Sequence, residues 1–331
     1  MRARSGVLMR ILPLVALLGA CTSDHIEVTS SAAPIEAEGS GDFYGDVAYD
    51  DHERSNFDLL LPEGEGPFPV VLYIHGGGFT QGHKDNAWDY FADDAQASLD
   101  AGVAYGSIGY RLIEDGDSEG VIKCLRDSQH AVQYIRHYAE DLQIDPDRIA
   151  VYGGSAGAGT ALWLASHDDL ADKKADERYQ RASSRIVAAG ALETQASYDL
   201  VRWEEDVFPE YGITLDLAAS IGLEQTILDF YGAESIDAIR EDEAFIAYRD
   251  DVDMLDLFDA NDPPIWVENR NEPEETPLSV GALFHHPYHA REVNEAALAA
   301  GVEVTAVIPE LEIGDDVDET VIDFLLREVT R

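Results

Sequence analysis

The chain reads as an α/β protein, with a mostly parallel central sheet and helices on both faces. Three observations predict it. From Phe68 onward, short apolar runs alternate with stretches of helical periodicity. One such run, Ile149 to Tyr152, passes through Gly153-Gly154-Ser155-Ala156-Gly157 directly into the helical stretch Thr160 to Ala165. Another, Phe68 to His75, runs into Gly76-Gly77-Gly78.

The elements follow in order. Asp46 to Asp50 and Ser55 to Leu61 read as two early strands, ended by the turn Pro62-Glu63-Gly64-Glu65-Gly66-Pro67. Phe68 to His75 is the strand before the glycines. Asn86 to Asp100 carries apolar residues at helical spacing (Trp88, Phe91, Ala92, Ala95, Leu99), and Gly102 stops it. Val103 to Tyr110 is the next strand, and Glu119 to Leu142 a long helix. Ile149 to Tyr152, the helix from Ala156 and the strand Ile186 to Leu192 come next. Thr194 to Asn261 interrupts the alternation with acidic helical sequence (Leu217 to Phe230, Ile236 to Tyr248). Ile265 to Val267, Val302 to Ile308 and a helix from about Val317 to Arg327 complete the pattern. Strand-helix-strand crossovers of this kind are right-handed.

Gly153-Gly154-Ser155-Ala156-Gly157 is a G-x-S-x-G match. In that motif a serine occupies a strained strand-to-helix turn, flanked by glycines because a Cβ there would meet neighbouring backbone. The turn lifts the hydroxyl above the sheet, and the helix points its positive end at the same place. A serine hydroxyl is a weak nucleophile. It needs a base within hydrogen-bond reach, an acid to orient that base, and amide donors for the oxyanion.

The two glycine motifs, in this order, resemble the α/β-hydrolase fold. Within it they are similar to the carboxylesterase branch that includes hormone-sensitive-lipase-like and polysaccharide-esterase enzymes. Ser107-Ile108-Gly109-Tyr110-Arg111-Leu112 and Asp145-Pro146-Asp147-Arg148-Ile149 resemble that group too. The likeness runs from about Asp58 to the C-terminus. It implies Ser155 as nucleophile and the amides of Gly77, Gly78 and Ala156 as oxyanion hole. It also implies a structural His75, an antiparallel edge from the first strands, and a helical cap over the serine from about 194 to 261. Trp203, Phe208, Tyr211 and Tyr231 are possible pocket walls, with packing inside the cap the favoured role for most of them.

The resemblance places an acid after Pro263-Pro264-Ile265-Trp266-Val267 and a histidine after Val304 to Pro309. After the first, the chain reads Glu268-Asn269-Arg270-Asn271-Glu272-Pro273-Glu274-Glu275. Glu272 is nearest in spacing, then Glu274, though a solvated loop fits as well. After the second stands Pro309-Glu310-Leu311-Glu312-Ile313-Gly314, and no histidine follows His289. The remaining source of a base is Leu283-Phe284-His285-His286-Pro287-Tyr288-His289, on the connection leaving the strand that normally presents the acid. His285 and His286 are the candidates. The competing reading has Pro287 starting a helix that His286 packs against or caps. His285 and His289, spaced i and i+4, also suit a metal pair, a weaker reading. The chain is read as using no metal and no cofactor. The His-His-Pro run and Leu162-Trp163-Leu164-Ala165-Ser166-His167-Asp168-Asp169 are similar to a group of secreted α/β hydrolases. His167 reads as structural.

Composition bounds the partners. Asp and Glu number 66 against 22 Lys and Arg, a formal net charge of −44 over 331 residues. That argues against nucleic acid and against anionic membrane surfaces. The acids are dispersed, which reads as a surface soluble in high salt, where self-repulsion is screened. Arg2, Arg4 and Arg10 precede the apolar run Ile11 to Leu18, and Leu18-Gly19-Ala20-Cys21 follows. This reads as a secretory signal over 1–20 with a lipobox-like end. Cys21 is then the lipidated first residue, 21–41 a flexible tether, and 42–331 the hydrolase domain. Lipid on Cys21 would be the only membrane attachment, in a bacterial cell envelope, with outer-membrane sorting suggested by Thr22; the alternative is a plain signal peptide with a stray cysteine, and a secreted protein. Cys124 reads as a core residue, and there is no disulfide framework.

The expectation is a serine carboxylic-ester hydrolase acting on short acyl esters, whether small molecules or acyl groups on polysaccharides. The alternative is a degenerate hydrolase that binds a ligand under the cap as a lipoprotein.

Overall fold

The computed structural model describes residues 25–273 and 277–331. The expected signal peptide, Cys21 and Glu274 lie outside the described residues. The strands are β1 (Ser40–Ala48), β2 (Asn56–Pro62), β3 (Phe68–Ile74), β4 (Ala104–Ile108), β5 (Ile144–Gly154), β6 (Ala189–Leu192), β7 (Ile265–Glu268) and β8 (Val304–Val307). They form an eight-stranded sheet in the order β1-β2-β4-β3-β5-β6-β7-β8. β1 pairs antiparallel with β2, and β2 with β4; the remaining neighbours are parallel. The antiparallel edge expected from the resemblance is present. β3 and β5, which carry the two glycine motifs, lie side by side with Ile74 opposite Gly153.

The helices are α1 (Asn86–Tyr90), α2 (Ala92–Asp100), α3 (Val121–His137), α4 (Ala156–Ser166), α5 (Leu215–Ala218), α6 (Glu224–Tyr231), α7 (Ile236–Glu241), α8 (Glu243–Asp251), α9 (Met254–Leu257), α10 (Val280–Phe284), α11 (Pro287–Ala300) and α12 (Val321–Val329). Strand alternation sorts the core into two layers. Val70, Leu72, Ile74 and Val151 face α3 and α4. Val71, Tyr73, Tyr105, Tyr152 and Trp266 face α2 and α12. Every residue of α4 is buried, so the helix behind the serine is apolar all round. Full burial of Leu162 or Leu164 is worth about 1.5–3 kcal/mol relative to exposure.

Three helical stretches that read as continuous are broken. The 86–100 stretch splits at Phe91, whose backbone leaves the helix and whose ring packs 4.5 Å from that of Tyr73. The 217–230 stretch is α5 and α6 joined through a π-turn over Ala219–Leu223, where Gly222 takes φ +106°. The 236–248 stretch divides at Asp242, which is extended. In each case tertiary packing or one backbone angle overrides periodicity. The first strand also begins earlier than 46–50 suggested, because Asp46 bends within it and β1 takes in Ser40 to Tyr44.

Residues 25–39, expected to be tether, lie against the domain. The Ile26 amide donates to Asp141, Ser31 bridges to Phe43, and Glu38 exchanges hydrogen bonds with Gln96. The physical reason is local: Ala33, Ile35 and Ala37 find apolar ground on the α2/α12 layer. Among the described residues no helix is long and apolar enough to cross a membrane.

Candidate active site

Ser155 sits between β5 and α4 with φ +53° and ψ −118°, a region that ordinary side chains avoid. The strain persists because close packing fixes both sides of the turn. A Cβ on Gly157 would lie 2.0 Å from the Ile74 carbonyl oxygen, so only glycine lets the start of α4 press against β3. The Ser155 amide donates to Leu192 at 2.8 Å, tying the turn to β6.

The glycine loop after β3 is held from below. His75 is fully buried and stacks on Tyr110 with ring centroids 4.1 Å apart. Its Nδ1 lies 2.8 Å from the Gly76 carbonyl, and the Tyr110 hydroxyl donates to the His75 carbonyl at 2.7 Å. The Arg54 guanidinium donates to Gly82 and Tyr110 carbonyls. Burial first, with Arg54 adding, pushes the His75 imidazole down to about 4, so it is neutral and braces the loop. Past the loop, buried Lys84 donates to both Asp58 oxygens at 2.7 Å. Gly77 takes φ +108°, and a Cβ there would meet the Gln81 carbonyl oxygen at 2.2 Å.

Gly77, Gly78, Ser155 and Ala156 line one cavity of about 440 Å³. Ala156 is the first residue of α4, whose first-turn amides have no intrahelical acceptor. The remaining walls are mainly apolar: Phe79, Tyr198, Leu200, Trp203, Leu223, Ile227, Phe230, Val280 and Phe284. Of the four aromatic wall candidates only Trp203 reaches the cavity. Phe208 and Tyr211 pack against His286, and the Tyr231 hydroxyl is spent on the backbone of Tyr198 and Leu200. Tyr198, Phe230 and Phe284 were not singled out by sequence, since nothing in their local pattern marks them as walls.

Within the histidine cluster the structure separates three roles. His285 closes α10, and its Nε2 lies 2.8 Å from Ser155 Oγ. Burial lowers its pKa, against a smaller upward pull from the Glu193 charge. His286 does not reach the serine. It precedes α11, its Nδ1 accepts the Tyr288 amide at 3.2 Å, and burial with Arg291 nearby pushes it down to about 4. His289 is wholly buried. Its Nδ1 accepts the Ala196 amide and its Nε2 donates to the Leu283 carbonyl, a pairing that serves packing and leaves no nitrogen for a metal. Among the described residues no group of three or more His, Cys, Asp and Glu is placed to hold a metal ion.

The expected acid is not where spacing put it. Glu272 is exposed and, among the described residues, no carboxylate hydrogen-bonds His285. What the loop after β7 supplies is amides. Fully buried Asn269 donates to the His285 carbonyl at 3.0 Å, and Asn271 to the same oxygen at 3.3 Å. Gln195 donates to the neighbouring Phe284 carbonyl at 2.8 Å. After β8, where a base was expected, Ile308 and Ile313 bridge across a tight turn through Pro309–Leu311. His167 is structural, bonded to the Trp163 carbonyl and to Asp251. Cys124 is buried, which pushes its thiol up and leaves it inert.

The strained serine on a strand-to-helix turn, the glycine loop beside it and the eight-stranded, mostly parallel sheet define an α/β-hydrolase. The profile of the BD-FAE family matches residues 57–243, more than half of the chain, and the chain belongs to that family. A probable isoprenylcysteine alpha-carbonyl methylesterase of Arabidopsis thaliana is 29% identical over 143 residues, 43% of this chain and 29% of that protein. Among solved structures, a truncated carbohydrate esterase from gut microbiota superposes with TM-score 0.64 at 16% identity, over 92% of this chain and all of that one. Esterase B of Lactobacillus rhamnosis superposes with TM-score 0.54 at 15% identity, over 82% of this chain and 76% of that one. The chain spans less than a third of the length of the curated relatives it matches.

Proposed function

We propose that the chain is a serine carboxylic-ester hydrolase with Ser155 as nucleophile and His285 as its base. The observation that carries this is the 2.8 Å contact between Ser155 Oγ and His285 Nε2, at the floor of a cavity that Gly77, Gly78 and Ala156 share. Ser155 Oγ attacks the ester carbonyl carbon while its proton passes to His285 Nε2. The carbonyl electron pair moves onto oxygen, which faces the amides of Gly77, Gly78 and Ala156. The tetrahedral intermediate collapses, and the alcohol leaves with the proton from His285. Water then repeats the sequence on the acyl-enzyme. The apolar walls suit the acyl part of the ester. Short acyl esters, small or carried on polysaccharide, fit this site, and relatives named as esterases support the ester class. Attachment to the cell envelope through lipid on Cys21 is part of the same reading and rests on the sequence Leu18-Gly19-Ala20-Cys21.

The test is a serine-reactive phosphonate probe followed by peptide mass spectrometry. Labelling is expected at Ser155. An intact protein with no label there overturns the enzyme reading and leaves the binding one.

The pH dependence follows from His285. The base works only when neutral, and burial holds its pKa below the usual histidine value of about 6.5. Activity is therefore full near neutrality and falls on acidification through a pKa below that value. The acid limb of kcat/KM against pH measures it. A limb above pH 7 contradicts the assignment.

A further inference from the structure

We propose that Glu193, at the end of β6, is the positioning acid that faces His285. This deepens the reading above and rests on His285 being the base. A neutral imidazole that takes the serine proton becomes a cation inside a partly buried site. Without a negative partner that cation is costly. Among the described residues no carboxylate of the loop after β7 hydrogen-bonds the ring, so the neighbouring strand end is the next place a partner can come from.

The sheet register points to where. Leu192 pairs with Gly154, which sets Glu193 beside Ser155 on the neighbouring strand. The Glu193 amide donates to the Glu268 carbonyl at 2.8 Å, fixing this strand end to β7 as well. Glu193 takes φ +53°, a left-handed conformation unusual for a glutamate and a kind of strain that gathers at functional sites. A second, polar cavity of about 300 Å³ is lined by both Glu193 and His285. It is roomy enough for water, which can bridge carboxylate and ring.

Among the described residues, the titratable and charged groups around His285 are few. Glu193 follows β6, Glu272 is on the loop after β7, His286 precedes α11 and His289 lies in it. Both of the latter are held neutral by burial. Of the two carboxylates, only the Glu193 charge registers on the His285 ring, raising its proton affinity against the effect of burial. Ester hydrolysis then proceeds as written above, with the imidazolium formed on proton transfer facing the Glu193 carboxylate.

The experiment compares kcat/KM against pH on p-nitrophenyl acetate for the full chain, Glu193→Gln, Glu193→Asp, Glu272→Gln and His285→Ala. Glu193→Gln is expected to lower the rate about tenfold and to move the acid limb to lower pH, because the charge that favours the protonated ring is gone. Glu193→Asp keeps the charge and is expected to restore the limb. Because Glu193 is exposed, the difference between wild type and Glu193→Gln should shrink in 1 M salt, where the screening length is about 3 Å. An unmoved limb in Glu193→Gln, or a loss seen only in Glu272→Gln, overturns the assignment while His285→Ala remains inactive. Should His285→Ala itself be active, it is the base reading that fails.

Discussion

Ser155→Ala is expected to remove turnover of p-nitrophenyl acetate almost completely, by about 10⁵-fold or more in kcat. The variant deletes the atom that forms the acyl bond; Thr80, Tyr198 and Thr226 also bring hydroxyls to the cavity, but among the described residues none of them bonds His285. The fold should survive. Ser155 bonds its neighbours through its backbone, with its amide donating to Leu192 and its carbonyl accepting from Gly159 at 3.1 Å. Alanine at φ +53° is no more strained there than serine. The check is kcat beside an unchanged melting temperature. Residual activity within tenfold of wild type, in a folded variant, would remove Ser155 from the chemistry.

His285→Ala is the second large effect, expected at about 10⁴-fold in kcat, or about 5.5 kcal/mol of transition-state stabilisation. His286→Ala is the informative partner, because sequence offered the two histidines as equals. His286 contacts the Tyr288 amide at the start of α11, so its loss is a cap loss of about 1 kcal/mol in stability. Its turnover should stay within a few-fold of wild type. The pair therefore separates chemistry from folding: one variant is stable and inactive, the other less stable and active. Steady-state kinetics and thermal melts on both decide it, and the reverse pattern would exchange the two roles.

The glycine motifs were legible because the sequence cue for each is local. Gly157 is needed because a Cβ there would lie 2.0 Å from the Ile74 carbonyl oxygen, and the cue for it lies within five consecutive residues. The buried strands were legible because each of them is an apolar run, the parallel sheet followed from alternation and its antiparallel edge from the resemblance, while the strand order came from the structure. The helix breaks at Phe91 and Asp242 were not, since each depends on contacts or angles outside the local period. The cap was legible as an insertion, but not which of its aromatic residues would face the serine. Tyr198, Trp203 and Phe230 do, and they come from three separate parts of the insertion.

The sequence by itself determined the sheet, the strained serine and the amide-lined loop, because short-range sterics and periodicity dictate all three. Only the tertiary structure decided which histidine meets the serine. His285 and His286 are adjacent in the chain and chemically identical. They are sent apart because α10 ends at one and α11 begins at the other, with Asn269, Asn271 and Gln195 gripping the backbone between α10 and the sheet. Those contacts span 14 to 89 residues along the chain, and no local pattern encodes a partner that far away.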